Sequence, residues 1–202
     1  MLTIALADYG VGNLHSLRKS LENCGAKVNV VTDMKDLLDA ECIAFPGVGA
    51  FDKTVEKLLP YKDAILERLK AGTPCLGICI GAQILMQGSE EGSSPGLGVI
   101  EGKVIKLKAK RIPEMGWNTV ETDDVLFDGI ESRHFYFAHS YHCDPTEKGV
   151  VRGTTEYEGQ IIPTFFRKWN VVGCQFHPEK SSRSGMMFLR NFIGFAEDCL
   201  CR

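Results

Sequence analysis

The sequence predicts an α/β fold with a mainly parallel sheet and helices on both faces, and three observations support this prediction. Short apolar runs alternate with amphipathic segments through residues 2–86, which is the order of β-α-β units. These runs are apolar almost without interruption, as expected for strands that are covered on both faces. From residue 99 onward apolar and polar residues alternate more evenly. We therefore expect a β-rich, partly antiparallel second half.

The individual elements follow from local spacing and from breaker residues. Buried strands are predicted in the first half at residues 2–7, 28–31, 42–45 and 75–78. Helical spacing predicts a helix that Gly25 ends, a short one that Asp33 caps, and a long segment that Pro60 interrupts. Residues 82–86 predict a helix after the fourth strand. In the second half we predict strands at 103–108, 134–138, 150–152, 161–166 and 171–176, followed by a helix over 186–195.

Composition excludes several classes of function. The chain has 202 residues, so we expect a single domain over 1–202, and its formal net charge of −3 gives no basic field for nucleic acid. No signal peptide or membrane span is evident, which predicts a cytoplasmic protein whose eight cysteines are free thiols. The grouping of His134, His139, His142 and Cys143 fits no common zinc spacing. We predict no metal, no cofactor and no membrane partner.

A cysteine between two glycines carries the strongest chemical signal. In Gly77-Ile78-Cys79-Ile80-Gly81 an apolar strand meets a helix-compatible run, as in a nucleophile elbow, where the reactive side chain sits at a sharp strand-to-helix turn. The glycines permit the close approach of strand and helix. We expect the helix that follows to favour the thiolate of Cys79 through its dipole. Taken alone, a buried cysteine beside a glycine is also ordinary core packing.

Two other segments supply the groups that a thiol nucleophile needs. In an extended segment His177 and Glu179 point to the same side, so the carboxylate can orient an imidazole base, and Pro178 disfavours a helix at His177. The amide after the nucleophile, that of Ile80, and a Gly-rich loop at 46–49 are candidates for an oxyanion hole. Each segment also has a plain structural explanation, a solvated strand-end turn for H-P-E and a Gly-Pro turn for the loop.

Together these motifs resemble a known family. G-I-C-I-G-A-Q, P-G-V-G-A-F and Q-F-H-P-E-K-S, in this order, resemble the class I (triad-type) glutamine amidotransferases, which implies a flavodoxin-like domain that hydrolyses glutamine to glutamate and ammonia. The resemblance implies Cys79 as nucleophile, His177 as proton shuttle and Glu179 as its orienting group. It implies an oxyanion hole from Gly47, Val48 and Ile80. The glutamine contacts it implies are Gln83, Glu91, His139, Ser140 and Tyr141.

A narrower resemblance implies the partner. D-Y-G-V-G-N and P-E-M-G-W-N are similar to motifs of the glutaminase subunits of imidazole glycerol phosphate synthases in histidine biosynthesis. That likeness implies a heterodimer with a cyclase subunit, a (β/α)8 barrel, that receives the ammonia. Asn13, Trp117, Asn118 and Lys180 would face this partner.

Three alternatives stay open at this stage. The same glutaminase chemistry serves other acceptor synthases, such as one that aminates a sugar nucleotide. A cysteine hydrolase or peptidase on a similar sheet would share Cys79 and His177 but would not need Gln83 and Glu91. The third alternative is a non-enzymatic regulatory module with an inactive elbow, and the presence of all three triad residue types argues against it.

Overall fold

The computed structural model describes residues 1–10 and 14–201, and within them it places twelve strands and five α-helices. The strands are β1 (Thr3–Ala7), β2 (Lys27–Val31), β3 (Cys42–Phe45), β4 (Cys75–Ile78), β5 (Gly102–Lys106), β6 (Glu114–Thr119), β7 (Glu121–Thr122), β8 (His134–His139), β9 (Tyr141–Pro145), β10 (Val151–Tyr157), β11 (Gln160–Lys168) and β12 (Val171–Cys174). The helices are α1 (His15–Asn23), α2 (Phe51–Leu58), α3 (Lys62–Lys70), α4 (Ile80–Gln83) and α5 (Ser182–Leu200).

Eight strands form one central sheet in the order β2-β1-β3-β4-β12-β11-β10-β7. The pairs from β2 to β12 are parallel, whereas β11, β10 and β7 continue the sheet in antiparallel pairing. Two small antiparallel pairs, β5 with β9 and β6 with β8, complete the second half. The predicted fold class, a mainly parallel sheet with a partly antiparallel second half, is confirmed.

Alternation along the strands builds a hydrophobic core on each face of the sheet. On β1, Ile4 and Leu6 pack with apolar residues of α1 and α5, while Ala5 and Ala7 pack with those of α2 and α3. Both faces are therefore covered by helices, which explains the nearly uninterrupted apolar strands. Within the described residues, no helix is both long enough and apolar enough to span a membrane, and no disulfide joins the cysteines.

Several predicted boundaries are wrong. The helix after the elbow, α4, is a single turn of four residues. Because so short a helix has only a small dipole, it gives little support to the predicted stabilisation of the thiolate. The segment after β12 is not extended, because Pro178–Lys180 form a 3₁₀ turn with His177 as its N-cap. Strands β6 and β9 were not predicted. In β6 the buried position is occupied by Glu114 and the exposed one by Met115, the reverse of the usual alternation.

Topology gathers three loops at one edge of the sheet. Strands β3, β4 and β12 are neighbours and run in the same direction, so the segments that follow them meet at their carboxyl ends. These segments hold the 46–49 loop, Cys79 and His177.

Candidate active site

Cys79 lies at a strained turn between β4 and α4. Its backbone angles are φ 50° and ψ −109°, a region that costs a non-glycine residue about 1–3 kcal/mol. The Cys79 N–H donates to the carbonyl of Cys174 at 2.7 Å, which fixes this turn to β12. A Cβ on Gly81 would lie 2.0 Å from the Phe45 carbonyl oxygen, and one on Gly77 would lie 2.5 Å from that of Gly81. The elbow therefore requires glycine at both positions.

The structure brings Cys79, His177 and Glu179 together. His177 Nδ1 lies 2.8 Å from Glu179 Oε1, and the two side chains are 4% and 9% exposed. The Cys79 side chain also interacts with the imidazole and acts to raise the pKa of His177. A Cβ on Gly47 would lie 2.8 Å from His177 Cε1 and 3.2 Å from Cys79 Cβ, so the backbone of the 46–49 loop packs directly on this pair.

The surroundings of His177 favour its protonated form. Burial acts to lower the pKa of this imidazole, but its hydrogen bonds to Cys79 and Glu179 and their charges outweigh burial and raise the pKa to about 10. The imidazole thus carries a proton at neutral pH, beside the sulfur. An imidazolium next to a thiol is the arrangement that activates cysteine nucleophiles.

Replacing Glu179 by Gln should change the pH dependence of stability. Because the folded-state pKa of His177 is raised, its stabilising contribution is complete below its ordinary pKa of about 6.5 and is lost as the pH rises through about 10. Glu179→Gln removes one cause of the raised pKa. In urea unfolding, the free-energy deficit of the variant should be larger at pH 6 than at pH 9.5. The control is Glu56→Gln, at an exposed position; equal deficits of Glu179→Gln at both pH values would contradict the assignment.

A cavity of about 330 Å³ opens beside the sulfur. Its walls come from the elbow, the 46–49 loop, β8 and the segments around β6 and β9, namely Gly49, Cys79, Ile80, Gln83, Glu91, Pro113, Met115, Ala138, His139, Ser140 and Tyr141. This volume is within the range of small-molecule sites. A wider cleft of about 760 Å³ lies among Arg152, Trp169 and Arg190, near the amino end of β12, and contains none of the triad residues.

Comparisons with known proteins agree with this site. Residues 5–194 match the family described as glutamine amidotransferase class-I. The chain belongs to the class-I glutamine amidotransferases. It is 43% identical over 193 residues to imidazole glycerol phosphate synthase subunit HisH of Pyrococcus furiosus, covering 94% of this chain and 97% of that protein. It is 44% identical over 195 residues to the same subunit of Methanocaldococcus jannaschii, covering 94% and 98%. A crystal structure of a glutamine amidotransferase superposes with TM-score 0.77 at 21% identity, covering 98% and 100%.

All the residues predicted to contact glutamine line the 330 Å³ cavity, namely Gln83, Glu91, His139, Ser140 and Tyr141. Ile80, the residue after the nucleophile, also lines it. Gln83 Nε2 donates to the Tyr141 carbonyl at 2.8 Å. The Glu91 carboxylate accepts from the Phe51 N–H at 3.0 Å and so caps α2. Val48 lies in the adjacent loop, half-buried against the core.

The predicted partner-facing residues separate into two groups. Trp117, 53% exposed, contacts Tyr136 edge-on with ring centroids 6.1 Å apart, and Lys180 Nζ lies 5.9 Å from the same Tyr136 ring. Asn118 is instead engaged with protein groups, since its Nδ2 donates to Glu114 Oε1 and to the Glu156 carbonyl, both at 2.9 Å. Asn13 lies outside the described residues.

Sequence reasoning missed three residues in and around the amidotransferase site: Glu114, Tyr136 and Gln175. Gln175 is fully buried and its Nε2 donates to Cys79 Sγ at 3.5 Å. It stands in the Q-F-H-P-E motif, two residues before His177. This position in the motif could have identified Gln175 as a site residue. Glu114 is a buried carboxylate in P-E-M-G-W-N, where the strand places it inward between exposed neighbours.

Proposed function

We propose that this chain hydrolyses glutamine to glutamate and ammonia and delivers the ammonia to the cyclase subunit of imidazole glycerol phosphate synthase. The observation that carries the proposal is the buried His177–Glu179 pair against the Cys79 thiol, at the edge of a cavity of amino-acid size. Family membership and the HisH relatives support the same reaction.

In the proposed reaction the proton of the Cys79–His177 pair is on the imidazole, and the Cys79 thiolate attacks the side-chain amide carbon of glutamine. As the C–N bond breaks, the His177 imidazolium gives its proton to the departing nitrogen, which leaves as ammonia, and a glutamyl thioester remains on Cys79. His177 then takes a proton from water as that water attacks the thioester, and glutamate and the thiolate are released. Glu179 holds Nδ1 throughout, so Nε2 faces the reacting atoms.

Negative charge on the glutamine oxygen needs donors during both steps. We assign this task to the amides of Ile80 and Val48, with Gly47 allowing the loop to pass close to His177 and Cys79. Gln83 and the 139–141 segment form the wall for the amino-acid end of glutamine. The Glu91 carboxylate, at the rim of the same cavity, is the group of opposite charge for the substrate ammonium.

A patch beside the site is suited to the cyclase partner. Trp117 is 53% exposed and Met115 is 68% exposed, on the same edge strand, and Lys180 adds a positive charge across the Tyr136 ring. Large exposed apolar side chains next to an active site are typical of protein interfaces. We propose that the (β/α)8 barrel of the cyclase docks here to form the heterodimer.

Trp117→Ala should weaken this complex. Exposed tryptophans at interfaces are frequent energetic hot spots, so we expect the dissociation constant for the cyclase subunit to rise about tenfold or more. Titration calorimetry measures the change. Trp169→Ala is the matched control because Trp169 is 42% exposed at the amino end of β12, away from Cys79. Equal affinities for the wild type and the Trp117 variant would exclude Trp117 from the interface.

The assay for the proposed function is glutamate release from glutamine by the purified chain, alone and with the cyclase subunit and its nucleotide substrate. Glutamate must appear in the complex at a rate that depends on the glutamine concentration. Absence of glutamate in both conditions would contradict the proposal. Release in both conditions without any effect of the cyclase would leave a glutaminase and reopen the choice of acceptor synthase.

A further inference from the structure

A buried carboxylate, that of Glu114, contacts the imidazole of His139 in the wall of the cavity. Glu114 of β6 and His139 of β8 are opposite each other in the antiparallel pairing, and Glu114 Oε2 lies 3.0 Å from His139 Nε2. Their side chains are 3% and 2% exposed. Neither of these two atoms completes an aligned hydrogen bond with the described residues. Because a buried charge is costly unless it is compensated, this pair constrains both side chains strongly.

Each member of the pair is also fixed on its other side. Glu114 Oε1 accepts a hydrogen bond from Asn118 Nδ2, and the Asn118 Oδ1 accepts from the Thr119 N–H at 2.8 Å. His139 Nδ1 lies 3.0 Å from the Tyr141 carbonyl oxygen. Both ring nitrogens of His139 therefore face oxygen acceptors.

From the Tyr141 carbonyl the contacts continue to the thiol. Gln83 Nε2 donates to this carbonyl at 2.8 Å and to Gln175 Oε1 at 3.2 Å. Gln175 Nε2 in turn donates to Cys79 Sγ at 3.5 Å. Gln83 is 3% exposed and Gln175 is fully buried, so water does not compete with these bonds. The path is continuous from β6 to the reacting sulfur.

We infer that Glu114 is a positioning residue of the glutaminase site, which acts through His139 on the Tyr141 carbonyl and on the Gln83 amide. Without the carboxylate, His139 loses its contact with Glu114 and no longer holds its orientation toward the Tyr141 carbonyl. That carbonyl accepts a hydrogen bond from the Gln83 side chain, which lines the substrate cavity. Cys79 keeps its own anchor, the bond from its N–H to Cys174, and its contact with His177. The main effect therefore falls on the binding of glutamine and less on the chemical step. This inference rests on the proposed glutaminase function.

The test is steady-state hydrolysis of glutamine by the complex with the cyclase subunit, using Glu114→Gln. This variant keeps the size of the side chain and an acceptor for Asn118 but removes the charge. We expect KM for glutamine to rise about tenfold, the size of one lost charged contact, with kcat changed less than about threefold. His139→Asn breaks the pair from the other side and should raise KM at least as much, because His139 also lines the cavity. The double variant should be no worse than His139→Asn alone, because Glu114 acts through His139.

Glu121→Gln, the same substitution at an exposed position of neighbouring β7, is the matched control and should leave both constants unchanged. Wild-type KM in Glu114→Gln, or a KM effect that adds to that of His139→Asn, would overturn the inference. A fall in kcat alone in Glu114→Gln, accompanied by a lower free energy of unfolding, would also overturn the inference. That combination indicates a purely structural role. If Glu114→Gln fails to fold, the KM of Glu114→Asp decides, because this variant keeps the charge but withdraws the carboxylate from His139. Failure of the wild type to hydrolyse glutamine would instead contradict the proposed function.

Discussion

Cys79→Ala should abolish glutamine hydrolysis while leaving the cyclase reaction with free ammonia intact. The substitution removes the sulfur that forms the thioester, so we expect kcat/KM for glutamine to fall at least about 10⁴-fold. The rest of the site, including the His177–Glu179 pair, is retained. Glutamate release and ammonia-dependent product formation by the same complex are the two measurements.

The matched control for that result is Cys201→Ala, which removes an exposed thiol beyond α5. It should leave glutamine hydrolysis within about twofold of the wild type, as expected for a surface substitution away from the site. Residual hydrolysis by Cys79→Ala at more than a few per cent of the wild-type rate would refute the nucleophile assignment. Loss of ammonia-dependent synthesis as well would indicate that this variant no longer binds the cyclase.

Gly81→Ala should be the most destabilising of the conservative substitutions considered for the elbow. A Cβ at this position would lie 2.0 Å from the carbonyl oxygen and 2.6 Å from the carbonyl carbon of Phe45, which are backbone atoms at the end of β3. They cannot move away without disturbing the sheet. We expect a loss of about 3 kcal/mol or more in the free energy of unfolding, measured by urea titration.

Gly194→Ala provides the opposite case in α5. A Cβ there would meet no heavy atom within 4 Å apart from its chain neighbours and the backbone of its own helix turn. Alanine favours a helix over glycine by up to about 1 kcal/mol. This variant should therefore be at least as stable as the wild type. Equal stability of Gly81→Ala and Gly194→Ala would mean that the close approach of β3 and α4 is not what fixes glycine at the elbow.

The fold was predictable where one physical signal dominates. The buried strands of the parallel sheet appear as short apolar runs, and Pro60 separates α2 from α3 as expected, with a 3₁₀ turn at Leu59–Tyr61 between them. Strand β6 escaped prediction because Met115 and Trp117 point outward while Glu114 points inward. Apolar side chains exposed on the proposed partner surface invert the alternation on which strand prediction depends.

The candidate site was predictable in its residue types but not in its local geometry. Cys79, His177 and Glu179 meet as expected, although a 3₁₀ turn rather than an extended strand brings the carboxylate to the imidazole. Local residue spacing could not predict the contacts between segments that are distant in the sequence. Gln175 on the thiol and Glu114 on His139 depend on the pairing of β12 with β4 and of β6 with β8.

The most direct test of the account follows the amide nitrogen of glutamine. The complex with the cyclase subunit is supplied with glutamine labelled with ¹⁵N at the amide, together with excess unlabelled ammonium, and the isotope content of the imidazole product is determined by mass spectrometry. We predict one glutamate per product and a product that carries the ¹⁵N label despite the unlabelled pool. Cys79→Ala should abolish both results. An unlabelled product formed without glutamate release would contradict this prediction.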